Sequence, residues 1–140
     1  MSVSKIGQNK LEHILYGKLG SETPFEASCE SRQLLSHITS RWGVLVLICL
    51  EAGTQRYSQL RQQLTGVSER MLAKVLKDLE EDGLITRESF PVLPPHTEYT
   101  LTAAGFEAAA LITQLTDWVG NYVSLKKELS DNQSGTEQIP

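Results

Sequence analysis

At 140 residues and 15.6 kDa, the chain has room for one compact domain with loose ends and too little for two full ones. A hydrophobic share of 40% and a charged share of 21% are those of an ordinary soluble globular protein, which excludes a globally disordered chain. The net charge of -4 counts against a nucleic-acid partner at first sight, so the distribution of charge along the chain has to decide.

The first residues lack the charged-then-apolar build of a secretion signal, and no apolar run approaches the roughly 18 residues needed to span a bilayer. A cytoplasmic location without membrane contact is expected. Residues 1–28 carry only a weak helical pattern, Ile6, Leu11, Ile14 and Leu15, followed by a break through Gly20, Ser21, Thr23 and Pro24, and they read as an arm. Cys29 and Cys49 stand far from any CxxC or Cys/His cluster, which points to neither a disulfide framework nor a zinc site.

Leu34, Leu35 and Ile38 mark a first helix. The run Trp42, Val44 to Leu50 marks a second, buried on most sides and stopped by Gly53. Ser58 is expected to cap a short third helix with Leu60 and Leu64 apolar, because a serine oxygen accepts from the unpaired amides of a first turn. After a turn at Thr65, Gly66 and Val67, Ser68 caps a fourth helix that ends near Asp82 with Gly83 in the left-handed conformation. Its core face is Leu72, Val75, Leu76 and Leu79, and Arg70, Ala73, Lys74 and Lys77 share the opposite face.

Leu84 to Ser89 and Thr97 to Leu101 read as two strands, and Pro91, Pro94 and Pro95 stop either from running through the tip between them. Thr102 caps a long final helix from Ala103 to about Leu129, with more apolar surface than so small a domain can cover, which suggests a subunit interface. Residues 130–140 are polar and read as a disordered tail. The domain proper is therefore 29–129.

From Arg56 to Lys77, five basic residues (Arg56, Arg61, Arg70, Lys74 and Lys77) face Glu69 alone. Asp78, Glu80, Glu81 and Asp82 follow at once. Basic residues early and acids in the last turn oppose the helix dipole, so something other than helix stability accounts for the order. The element order is that of a winged helix-turn-helix, mainly α with a small β-hairpin wing. One helix fits a major groove about 12 Å wide and reads base edges from its N-terminal half.

The sequence resembles the HxlR-type branch of winged-helix regulators, close in build to the MarR type. The resemblance is carried by Cys29, by Arg41-Trp42, by Arg56-Tyr57-Ser58-Gln59-Leu60-Arg61 and by Val67-Ser68-Glu69-Arg70-Met71-Leu72. Leu79-Glu80-Glu81-Asp82-Gly83-Leu84-Ile85 and the wing, Pro91-Val92-Leu93-Pro94-Pro95-His96-Thr97-Glu98-Tyr99-Thr100-Leu101-Thr102, complete it over residues 29 to 122. The chain departs from the family pattern at Ser40 and Arg41, where a glycine-lysine pair is usual, and at Ala73, Val75 and His96, where more polar or basic residues are common. Those departures take away candidate phosphate contacts.

The resemblance implies a homodimer built on the N- and C-terminal helices, with two recognition helices on a pseudo-palindromic operator in double-stranded DNA. Half-sites would lie about 10 base pairs apart or a multiple of that. Arg70 and Lys74 are the candidate readers of base edges or nearby phosphates, Arg56, Ser58, Arg61, Ser68 and Lys77 the candidate backbone contacts, and His96 the wing's reach toward the minor groove. Relatives that sense electrophiles or disulfide stress through a cysteine ahead of the first helix make Cys29 a candidate redox sensor. Arg32 favours its thiolate, whereas Glu26 and Glu30 oppose it. An electrophile or other small-molecule effector is thus a candidate partner.

Cys49 reads as a core residue, and Trp42, Trp118 and Tyr122 read as packing before they read as an effector pocket. His13, His37 and His96 lack ligand spacing, so no metal and no cofactor is expected. There is no GxSxG, HExxH or phosphate-cradling glycine loop, and no enzyme is read. The alternative is a winged-helix module for protein-protein contact without specific DNA binding, using the acidic surface.

Overall fold

The computed structural model describes residues 30–137. The arm and Cys29 lie outside the described residues. Along the chain run α1 (Glu30–Thr39), α2 (Arg41–Glu51), β1 (Gln55–Arg56), α3 (Tyr57–Gln63), α4 (Glu69–Glu81), β2 (Ile85–Phe90), β3 (His96–Leu101) and α5 (Ala103–Glu137).

The core gathers where the apolar periodicity says it should. Gly43, Val46, Leu47 and Leu50 of α2, Leu60 of α3 and Leu72, Val75, Leu76 and Leu79 of α4 close on one another and on Ile85, Tyr99 and Leu101 of the sheet. Each of the fully buried leucines is worth about 1.5–3 kcal/mol of apolar transfer. Helix α1 is thinner in contacts: it has no fully buried residue, Leu34 and Ile38 are half-buried, and Leu35 is exposed.

The strands form one antiparallel sheet in the order β1-β3-β2. Ile85 pairs with Leu101, Arg87 with Tyr99, Glu88 with Glu98 and Phe90 with His96. Side chains alternate across a strand, so Ile85, Tyr99 and Leu101 turn to the core while Glu88, Phe90, His96 and Glu98 share the other face. The hairpin matches expectation to within a residue. Strand β1 was not expected: its two residues are too short to show a period, and its pairing of Gln55 with Tyr99 and Arg56 with Glu98 is a tertiary event.

Two further differences concern helix ends. Ser58 does not cap α3. The backbone stays extended through Arg56 on leaving β1, so the helix opens at Tyr57, the Gln59 side chain accepts the Arg56 N–H at 2.8 Å, and Ser58 stands exposed in the first turn. The final helix does not stop at Leu129 but continues to Glu137, through residues whose composition suggested a disordered tail. Extending a formed helix costs little per residue, and the only breaker before Pro140 is Gly135, worth about 1 kcal/mol.

Candidate nucleic-acid interface

Helix α4 presents the expected basic strip. Ser68 is extended and its Oγ accepts the Met71 N–H at 3.1 Å, which satisfies an end amide and fixes where the helix begins. Burial of Leu72, Val75, Leu76 and Leu79 then dictates what faces outward. Arg70, Ala73, Lys74 and Lys77 are exposed, with Met71 beside them. Among the described residues Arg70 and Lys77 make no ion pair, while Lys74 Nζ lies 2.9 Å from Asp78 Oδ2. A pair near the surface is worth about 0.2–1 kcal/mol, so parting Lys74 from Asp78 costs little.

Both ends of α3 are tied to the start of α4. Arg61 pairs with Glu69, and the Tyr57 hydroxyl donates to the Glu69 carbonyl at 3.4 Å. Arg56, Tyr57 and Ser58 line a groove of about 260 Å³ with Pro95, His96 and Thr97 at the base of the wing. Tyr57, Ser58 and Arg61 continue it toward α4 with Gln62 and Glu69. Four sequence-nominated residues, Arg56, Ser58, Arg61 and His96, thus share one surface around Tyr57, and Ser68, Arg70, Lys74 and Lys77 lie along the adjoining helix.

His96 does not stand out from the wing. Its ring stacks on Phe90 with centroids 4.9 Å apart, and its Nε2 lies 2.9 Å from Glu98 Oε2. The projecting tip is apolar: Val92 is half-exposed and Leu93 is 97% exposed. Glu98 stands between Arg56 of β1 and Glu88 of β2, so the outer face of the wing carries both signs of charge.

Two of the four acids that end the basic stretch, Asp78 and Asp82, have a partner on α1. His37 Nδ1 on α1 lies 2.7 Å from Asp82 Oδ2, and its Nε2 lies 3.8 Å from Asp78 Oδ2. Contact with α1, not the dipole of α4, accounts for two of the four carboxylates; Glu80 and Glu81 are exposed. His37, Asp78 and Lys74 form part of the wall of a cleft of about 480 Å³ between α1, α2 and α4. Trp42 lines the same cleft with the Arg41 guanidinium 4.8 Å from its ring centroid. Trp118 and Tyr122 do not join it.

Neither charge nor periodicity singles out Tyr57 at the centre of this surface; the available signal is its position at the opening of α3, after Arg56 and one turn before Arg61. Nor do they single out Arg87, which stands opposite Tyr99 across the hairpin. Burial pushes the Tyr99 phenol up and Arg87 pulls partly against that. Val75, counted as a lost polar contact, is buried and faces the core, so its departure from the family pattern removes nothing from the surface. Cys49 is half-buried, and burial pushes its thiol up. Among the described residues no group of three His, Cys, Asp or Glu side chains is placed to hold a metal, and no single helix is long and apolar enough to cross a membrane.

Beyond Thr113, α5 leaves the domain. Leu111, Leu115, Trp118, Tyr122, Leu125 and Leu129 are all about half-exposed or more and recur at alternating steps of four and three, the spacing of a helix-pairing seam. Trp118 and Tyr122 stack on each other with centroids 5.2 Å apart.

A capped helix with a basic outer strip, braced by a short helix and flanked by a β-hairpin wing, defines the winged helix-turn-helix class of transcriptional regulators. The family model described as HxlR-like helix-turn-helix matches residues 37–127, and the chain belongs to that family. Over 95 residues it is 50% identical to the HTH-type transcriptional regulator YtfH of Escherichia coli K12, covering 68% of this chain and 75% of that one. The solved structure of ytfH from Salmonella typhimurium superposes with a TM-score of 0.68 at 46% identity, over 78% of this chain and 96% of that one. The redox regulator HypR in its oxidised form superposes with a TM-score of 0.60 at 28% identity, over 66% of this chain and 96% of that one.

Proposed function

We propose that two copies of the chain bind a pseudo-palindromic operator, each laying the outward face of α4 in a major groove. The observation that carries this reading is the strip Arg70, Ala73, Lys74 and Lys77, exposed along α4 directly opposite its buried leucines. Arg70 and Lys74 read base edges or adjoining phosphates. Arg56, Ser58, Arg61, Ser68 and Lys77 hold the backbone, which sets register and supplies most of the salt-sensitive affinity. The wing lies along the neighbouring minor groove with His96 at its base. Pairing of two copies through the apolar seam of α5, together with α1, covers surface that the monomer leaves in water.

The protein works by binding, in the cytoplasm where its operator is, and not by catalysis. Its likeness to the redox regulator HypR supports Cys29 as a thiol through which oxidants or electrophiles reach the DNA-binding state. Hydroxyl-radical footprinting on the DNA flanking its own gene tests the operator reading. Two protected stretches separated by about 10 base pairs or a multiple, on one face of the duplex, are expected. A stable dimer that protects no DNA shifts the reading to a protein-contact module, and Cys29→Ser protein that still responds to diamide removes the sensor.

A further inference from the structure

We propose that His37 is a positioning residue for DNA binding: through Asp78 it decides whether Lys74 is held on its own helix or released to a phosphate. The proposal rests on the reading of α4 as the recognition helix. Its ground is one shared oxygen. Asp78 Oδ2 lies 2.9 Å from Lys74 Nζ and 3.8 Å from His37 Nε2, while His37 Nδ1 is fixed 2.7 Å from Asp82 Oδ2.

The chemistry of the imidazole makes this arrangement two-state. At 2.7 Å from a carboxylate, Nδ1 carries a proton and donates it. A neutral ring then turns the lone pair of Nε2 toward Asp78, which offers that carboxylate nothing, and the charge of Asp78 is balanced by Lys74. A protonated ring donates from Nε2 as well. Asp78 then has a cation on α1, and Lys74 is free to swing to DNA. His37 is reached by solvent along the cleft between α1, α2 and α4, its side chain 29% exposed, so the proton has a path.

The charged groups around the ring are few. Helix α4 contributes Lys74, Asp78 and Asp82, and α2 contributes Arg41, which is stacked on Trp42. Helix α1 itself carries Glu30 and Arg32 in its first turn. Of these, Asp78 alone touches both the ring and a residue of the basic strip. The connection also runs from α1, part of the proposed pairing surface, to the face proposed to read DNA.

The test is the affinity of the full-length protein for the DNA flanking its own gene at about pH 5 and about pH 8, the limits between which histidine changes charge. Wild type is compared with His37→Gln and Asp78→Asn, each at two salt concentrations. Release of Lys74 is expected to tighten wild-type binding at low pH by about two- to fivefold, the scale of one exposed ion pair, and to steepen the salt dependence by about one phosphate contact. His37→Gln is expected to stay weak at both pH values, and Asp78→Asn to stay tight at both. His13 and His96 are common to all three proteins, so whatever they contribute is the same in each and cancels in the comparison. A pH slope in His37→Gln equal to that of wild type overturns the proposal, as does Asp78→Asn binding that is no tighter than wild type at high pH. Wild-type protein that binds this DNA at neither pH overturns the DNA reading together with it.

Discussion

Gly105 approaches the Leu84 carbonyl so closely that a Cβ at position 105 would lie 2.0 Å from its oxygen. The same oxygen accepts the Thr102 N–H at 3.0 Å, and Thr102 Oγ1 donates to the Gly83 carbonyl at 2.7 Å while accepting the Gly105 N–H at 3.0 Å. The first turn of α5 is thereby clamped onto the chain leaving α4. Gly105→Ala forces the two apart and is expected to cost about 1–3 kcal/mol, read as a lowered thermal midpoint. An unchanged midpoint would mean that this junction is slack.

Ser68 serves α4 as its cap and is also a candidate phosphate contact, and two substitutions separate the roles. Ser68→Ala loses the acceptor for the Met71 N–H and is expected to cost about 1 kcal/mol of stability. Ser68→Asp keeps a capping oxygen and adds a negative charge, so stability is retained while DNA affinity falls. Thermal melts and DNA titrations of the pair give the answer. Asp binding DNA as tightly as Ser would remove position 68 from the interface.

The seam on α5 is expected to hold the dimer. Leu115→Glu with Trp118→Glu places two charges on a face that is exposed in the single chain, so the domain itself keeps its fold. Sedimentation is expected to give a monomer with an unchanged circular dichroism spectrum. A dimer that persists would put the interface elsewhere.

Alkaline pH is expected to weaken the fold. Burial raises the Cys49 thiol from its ordinary 9.0 and the Tyr99 phenol from its ordinary 10.0. In both, the folded chain keeps a proton that the unfolded chain releases, so stability is full below those values and is lost as pH rises through them. Denaturant midpoints measured from neutral to alkaline pH should fall, and Cys49→Ala should delay the first part of the fall. For the same reason Cys49 is expected to react with alkylating reagents more slowly than an exposed thiol.

Much of this was legible in the residues because the helices are strongly periodic and locally capped. Leu72, Val75, Leu76 and Leu79 announced the buried side of α4, and so its basic side; Ser68, Gly83 and Thr102 announced its ends and the next start. What escaped was decided by tertiary partners. Strand β1 exists because β3 offers Gln55 and Arg56 a ladder, and that same strand moved the opening of α3 from Ser58 to Tyr57. The acids after Lys77 looked misplaced until α1 supplied His37, 41 residues upstream of Asp78. His96 was nominated for reach by its place in the wing, yet Phe90 and Glu98 hold its ring at the base.

The most direct test of the DNA reading is the affinity of the purified protein for the DNA flanking its own gene, measured across a salt series beside Arg70→Ala/Lys74→Glu protein. Wild type is expected to bind in the presence of competitor DNA with an affinity that falls steeply as salt rises, and the double variant to lose that binding while remaining a folded dimer. A double variant that binds like wild type would contradict the assignment of α4 as the helix that meets DNA.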